Sequence, residues 1–118
     1  MNDENKLKGE RKSKPNMGLT QHHLTIWVKE SEWDRMKFLS ASSGKTLSKY
    51  VEDICIKWIE NHPNTPPEKL ERSFKSEKGT IKPLSFSEAN YKRIQDYVKK
   101  NEIKMTRFIV ALILGNQN

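Results

Sequence analysis

The chain has 118 residues and a mass of 13.8 kDa, which is one domain's worth of sequence. It carries 22 Lys+Arg against 15 Asp+Glu, a net charge of +7, and a surplus of that size favours a polyanionic partner such as nucleic acid. Its longest unbroken apolar run, Phe108 to Leu114, is far short of the roughly 17–25 residues of a membrane span, and its single cysteine, Cys55, excludes an intramolecular disulfide and paired-cysteine zinc motifs.

Residues 1–21 hold Lys6, Lys8, Arg11, Lys12 and Lys14 against Asp3, Glu4 and Glu10, a net +2. With almost no apolar content, this stretch reads as a disordered basic arm. No apolar segment follows the N-terminus, so no secretory signal is expected, and a reducing cytoplasmic location fits.

Residues 22–60 are balanced in charge. Alternation predicts a short strand, with Leu24, Ile26 and Val28 on one side and His23, Thr25 and Trp27 on the other. A helix follows, with Trp33, Met36 and Leu39 at helical spacing and Phe38 beside them. Its N-cap is Lys29 or Ser31, and Ser31 is chemically the better. It ends near Ser43-Gly44, where glycine can take the left-handed position. Thr46 then caps a second helix bearing Leu47, Tyr50, Val51, Ile54, Cys55 and Trp58.

Residues 61–79 form a linker. His62-Pro63-Asn64-Thr65-Pro66-Pro67 cannot continue a helix. Thr65-Pro66-Pro67-Glu68 resembles a capping box with proline at the first helical position, which predicts a short helix carrying Leu70 and Phe74.

Residues 80–118 repeat the pattern and carry a net +4. Leu84 and Phe86 form the apolar side of a strand. Ser87 caps a helix with Tyr91, Ile94, Tyr97 and Val98 inward, and Lys99 to Lys104 make the turn. The last helix carries Met105, Phe108, Ile109, Leu112 and Ile113. It is apolar nearly all round, so it is expected at the centre of the core.

Sliding the chain by 58 residues exposes the repeat. Leu47-Ser48-Lys49-Tyr50-Val51 falls on Met105-Thr106-Arg107-Phe108-Ile109, all conservative replacements. Ile26 meets Leu84, Val28 meets Phe86, Trp33 meets Tyr91, and Met36 meets Ile94. The core pattern repeats although identities are few (Glu30/Glu88 and Arg35/Arg93). A single strand-helix-helix unit cannot bury its own apolar surface. Two can pair their strands and interlock four helices beneath them. The expected fold is therefore mainly α with a two-stranded antiparallel ribbon, residues 22–118 forming one domain.

Residues His22 to Trp58, with the Leu24-Thr25-Ile26 strand, the Gly44-Lys45-Thr46-Leu47-Ser48 turn and the Tyr50/Val51/Ile54 stripe, resemble the ribbon-helix-helix family of bacterial and phage DNA-binding repressors. Leu84-Ser85-Phe86-Ser87-Glu88 and Met105-Thr106-Arg107-Phe108-Ile109 carry the second copy. Two copies in one chain resemble the relaxosome accessory proteins of conjugative plasmids. The resemblance implies a tandem ribbon-helix-helix pseudo-dimer that inserts its ribbon into the major groove of double-stranded DNA.

By position, it implies that His23, Thr25, Trp27, Lys82 and Ser85 read bases. The outward positions Ile81 and Pro83 are poor readers. Lys82 falls on the inward side, so the strand either starts late or carries a bulge that turns Lys82 outward; Pro83 fits only the open-edge side or a bulge. The ribbon is therefore expected to be asymmetric. Trp27, with one donor and a broad apolar face, could instead anchor a protein partner. Phosphates would meet the start of each second helix: Lys45, Thr46, Leu47 and Ser48 in the first half, and Lys104, Met105, Thr106 and Arg107 in the second. Thr46 caps its helix with or without a ligand. Lys104 is a poor cap that a phosphate would suit.

Catalysis has little support. His22 and His23 are adjacent on a strand and point to opposite faces, and Cys55 sits on the apolar stripe. No enzyme activity, metal or cofactor is expected. Three roles stay open: a transcriptional repressor on a mobile element, a relaxosome accessory protein partnered by a relaxase, and an antitoxin or protein-binding adaptor. The sequence stops at Gly115-Asn116-Gln117-Asn118, right after the last expected helix, where antitoxins of this family append a toxin-binding tail; this weighs against the third role unless the basic N-terminal arm does the binding. With both strands in one chain, the expected free state is a monomer that can assemble cooperatively on plasmid or nucleoid DNA.

Overall fold

A computed structural model of the chain describes residues 20–115. The predicted basic arm lies outside the described residues except at its end, where Gln21 already opens the first strand. The elements run β1 (Gln21–Lys29), α1 (Glu30–Ser42), α2 (Leu47–Asn61), β2 (Gly79–Ser87), α3 (Glu88–Lys100) and α4 (Met105–Val110), with a π-helical continuation over Ala111–Gly115. The order strand-helix-helix thus occurs twice. Each element of the second half begins 58 residues after its counterpart: 79 against 21, 88 against 30, and 105 against 47.

β1 and β2 form a two-stranded antiparallel sheet with an unbroken register from Gln21↔Ser87 to Lys29↔Gly79. Its central pair is Thr25↔Pro83, residues that are themselves 58 apart. Ile26, Val28, Leu84 and Phe86 are buried on the helix side, as the alternation predicts. They meet Met36 from α1, Tyr50, Val51 and Cys55 from α2, and Ile94, Tyr97 and Val98 from α3. Phe108 to Ile113 are all buried, so the last helix is central to the core, as its unbroken apolar character predicts.

The caps obey local chemistry in three places. Gly44 takes φ 76° after α1. The Thr46 hydroxyl accepts from Lys49 N–H, and the Ser87 hydroxyl from Asn90 N–H.

The N-cap of α1 departs from the expectation. It is Lys29, whose N–H donates to Glu32 Oε1 at 2.9 Å. Ser31 is occupied elsewhere, giving its N–H and its hydroxyl to Glu77 at 2.9 and 2.6 Å.

The linker departs further, since no helix forms over Thr65 to Phe74. Leu70 packs on the core. Arg72 Nε donates to Glu32 Oε2 at 2.8 Å and Arg72 Nη2 to the Trp27 carbonyl at 3.2 Å, while Lys29 Nζ donates to the Ser73 carbonyl. These tertiary bonds tie the end of the segment to β1 and α1. A one-turn helix, costly to nucleate and started by two prolines without N–H groups, cannot compete with them.

Candidate nucleic-acid interface

The outward side of the ribbon presents His23, Thr25 and Trp27 from β1 and Ile81, Pro83 and Ser85 from β2. His23 Nδ1 lies 2.7 Å from Ser85 Oγ, joining the cross-strand pair at one end. At the other end Trp27 is paired with Ile81, and they are 50% and 65% exposed, which is high for large apolar side chains. The Trp27 indole lies against Gly79. A Cβ on Gly79 would collide with Nε1 and Cε2 of that ring, so only glycine allows this placement.

Lys82 is not on this face. The strand neither starts late nor bulges, and Lys82 stays on the helix side, opposite Ile26. Its ammonium escapes burial by reaching Glu30 Oε2 at 2.7 Å and lying over the Trp33 ring. The base-reading position assigned to Lys82 is therefore corrected, because an acidic partner is available on the inward side.

Pro83 sits where the open-edge argument allows. Trp27 N–H donates to Thr106 Oγ1 at 3.4 Å and Ser85 N–H to Ser48 Oγ at 2.9 Å. The N–H groups at these alternate positions point away from the partner strand. Pro83, two residues before Ser85, thus lacks an N–H that the ladder would not use.

These two bonds also place the helix starts. Ser48, in the first turn of α2, braces β2, whereas Thr106, in the first turn of α4, braces β1. Each half covers the open edge of the other half's strand. The start of α2 therefore flanks the His23/Ser85 end, and the start of α4 flanks the Trp27/Ile81 end.

The two helix starts are electrostatically unequal. At α2, Asp53 Oδ2 accepts from Lys45 Nζ at 2.8 Å and Oδ1 lies 3.2 Å from Lys49 Nζ. Partial burial pushes the Asp53 carboxyl up, but hydrogen bonds and charge from Lys45 and Lys49 outweigh it and hold the group below its ordinary range. The position 58 residues beyond Asp53 is Ala111. Lys104 and Arg107, beside the first turn of α4, have no ion-pair partner among the described residues. They share the wall of a cavity of about 440 Å³ with Leu70, Phe74 and Glu102. Leu47 and Met105 pack partly buried against the core and leave only their backbone for a ligand.

The remaining chemistry-bearing residues are spent on structure. Cys55 is fully buried; burial, with a smaller contribution from the Glu52 charge, pushes its thiol far above the ordinary range. His22 stacks on Tyr91 with ring centroids 3.6 Å apart, on the opposite side of β1 from His23. Among the described residues no three of His, Cys, Asp and Glu gather as metal ligands, and no helix is long and apolar enough to cross a membrane.

Arg72, Glu32 and Glu77 were invisible to sequence reasoning, because their bonds join a proline-rich linker to residues about 40 positions away. The inequality of the helix starts had a visible signal, the replacement of Asp53 by Ala111 in the aligned repeats. No family model, curated protein or solved structure matches the chain.

Proposed function

We propose that the chain is a tandem ribbon-helix-helix pseudo-dimer that binds double-stranded DNA sequence-specifically and acts as a transcriptional repressor on a mobile element. The observation that carries this reading is the exposed, unpartnered ribbon face with a cation-bearing helix start at each end. Paired strands lie about 4.8 Å apart, narrow enough for a major groove about 12 Å wide. The net charge of +7 suits a polyphosphate.

In this reading Thr25, at the centre of the ribbon, contributes a donor, an acceptor and a methyl to a base edge. Ser85 and His23 add hydrogen-bonding groups at one end. Lys104 and Arg107 contact phosphate directly. Lys45 and Lys49 contribute less, since Asp53 already neutralises part of their charge.

Binding measured across a panel of duplexes and salt concentrations tests it. Thr25→Ala lowers affinity for the preferred site by about 1–3 kcal/mol and relaxes discrimination at one or two base pairs. Lys104→Ala and Arg107→Ala weaken all sequences alike, each flattening the slope of log affinity against log salt by about 0.9. A folded Thr25→Ala protein with unchanged site preference overturns the base-reading role. Protection of the promoter at the gene's own locus tests the repressor role.

A further inference from the structure

The ribbon face has two chemically different ends. The register that pairs Thr25 with Pro83 places His23↔Ser85 two positions to one side and Trp27↔Ile81 two positions to the other. The 58-residue offset relates these pairs: His23 corresponds to Ile81, and Trp27 to Ser85. In a symmetric ribbon both ends would carry the same chemistry. Here one end is a hydrogen-bonded polar pair and the other an exposed apolar pair.

Two further observations make the apolar end an instrument rather than an accident of composition. The Trp27 ring rests on Gly79, where a Cβ would collide with it, and Arg72 donates to the Trp27 carbonyl, tying down the backbone that carries the ring. Lys104 and Arg107, without an ion-pair partner among the described residues, belong to the helix start at this same end, where Thr106 braces Trp27. An apolar patch flanked by a helix start that carries Lys104 and Arg107 is complementary to a surface that offers methyl groups between phosphates. In the major groove only thymine offers a methyl.

We propose, building on the DNA-binding reading, that Trp27 and Ile81 recognise thymine methyl groups while His23 and Ser85 recognise hydrogen-bonding base edges at the other end. One chain therefore binds a non-palindromic site in a single orientation. The apolar end lies over the thymine-rich half, and Thr25/Pro83 marks the boundary between the halves.

The test begins with the full chain and a random duplex pool, from which bound sites are selected. A non-palindromic consensus with thymines confined to one half is expected. Uracil is then substituted for thymine in that half, which removes only the methyl. Each substitution weakens binding about fourfold, the ratio for one buried methyl group. Uracil elsewhere in the duplex changes little. Trp27→Ala and Ile81→Ala abolish the sensitivity to uracil, and circular dichroism checks that these variants remain folded.

As a second arm, the Trp27→Ser/Ile81→His double variant gives both ends the same polar pair. Its selected site becomes closer to palindromic. Selective binding to a palindrome, or indifference to uracil, overturns the two-ended reader while leaving DNA binding intact. Absence of salt-dependent duplex binding overturns the underlying reading as well, and makes Trp27 and Ile81 a surface for a protein partner.

Discussion

The two strand-helix-helix halves share a frame and diverge at the positions where chemistry is added to it. The first half spends charge internally. Glu32 is paired with Arg72, Glu52 is buried under β2, and Asp53 holds Lys45 and Lys49. At the corresponding places the second half has Asn90, Val110 and Ala111. At the start of its last helix Lys104 and Arg107 have no ion-pair partner among the described residues, although Lys82 and Arg93 are paired with Glu30 and Glu60, and that helix fills the core. The comparison teaches that the same order of elements can be held in two ways within one chain, one half by polar networks and the other by apolar packing.

The largest test breaks the network of the first half. The Glu32 and Arg72 side chains are only 9% and 12% exposed, and they join α1 to the linker. Removing one leaves the other nearly buried without its counter-charge, so Glu32→Ala lowers stability by about 3–5 kcal/mol in urea denaturation. The Glu32→Ala/Arg72→Leu double variant recovers much of the loss, because no orphaned charge remains. Burial alone would raise the Glu32 pKa. Hydrogen bonds from Arg72 and from Lys29 N–H, with the charges of both residues, reverse that and hold the carboxyl below its ordinary range. A lowered folded pKa means that this stabilisation is present above about pH 4.3 and is lost as the pH falls through the folded value. The stability gap between wild type and the double variant accordingly changes in that acid window and stays flat near neutrality.

A smaller effect follows from copying the second half into the first. Glu52, 5% exposed, accepts from the Ser87 hydroxyl at 2.8 Å, from Asn90 Nδ2 at 2.7 Å and from Ser87 N–H at 3.3 Å. Glu52→Val reproduces Val110 but leaves those donors without their acceptor, at a cost of about 1–3 kcal/mol. If the substitution proves neutral, the buried carboxylate is not what ties α2 to the start of α3.

What the sequence makes legible is what short-range chemistry decides. The alternation of Leu24, Ile26 and Val28, and of Leu84 and Phe86, locates the ribbon and its outward face. Thr46, Ser87 and Gly44 mark helix ends because a cap acts within three or four residues. The misplacements all involve distant partners. Ser31 looks like a cap until Glu77 takes its hydrogen bonds. Thr65 to Glu68 looks like a helix start until Arg72 and Ser73 are held by Glu32 and Lys29. Lys82 looks misplaced on the inward side until Glu30 and Trp33 receive it. At the candidate site, the outward residues are legible from parity alone. The joining of His23 to Ser85 and the seating of Trp27 on Gly79 are not, because they depend on cross-strand register.

The smallest test concerns the turn between helices, where the halves differ in backbone strain. Gly44 and Glu102 are corresponding positions, and both adopt positive φ, 76° and 58°. For glycine that conformation is free of steric cost, whereas for a residue with a Cβ it costs about 1–2 kcal/mol. Glycine also has more conformational freedom to lose on folding, which returns roughly 0.5–1 kcal/mol of the gain. Glu102→Gly therefore stabilises the fold by about 0.5–1 kcal/mol, visible as a higher urea midpoint with an unchanged slope. Glu102→Ala separates strain from charge: it removes the carboxylate but keeps the Cβ, and so gives none of the backbone gain. In the first half the reciprocal change, Gly44→Ala, destabilises by about 1 kcal/mol. Nothing lies within 4 Å of the added Cβ, so that loss is backbone strain alone. Equal midpoints for Glu102→Gly and Glu102→Ala would show that the strain at Glu102 is offset within the turn, and that the two halves are closer in energy than their φ angles imply.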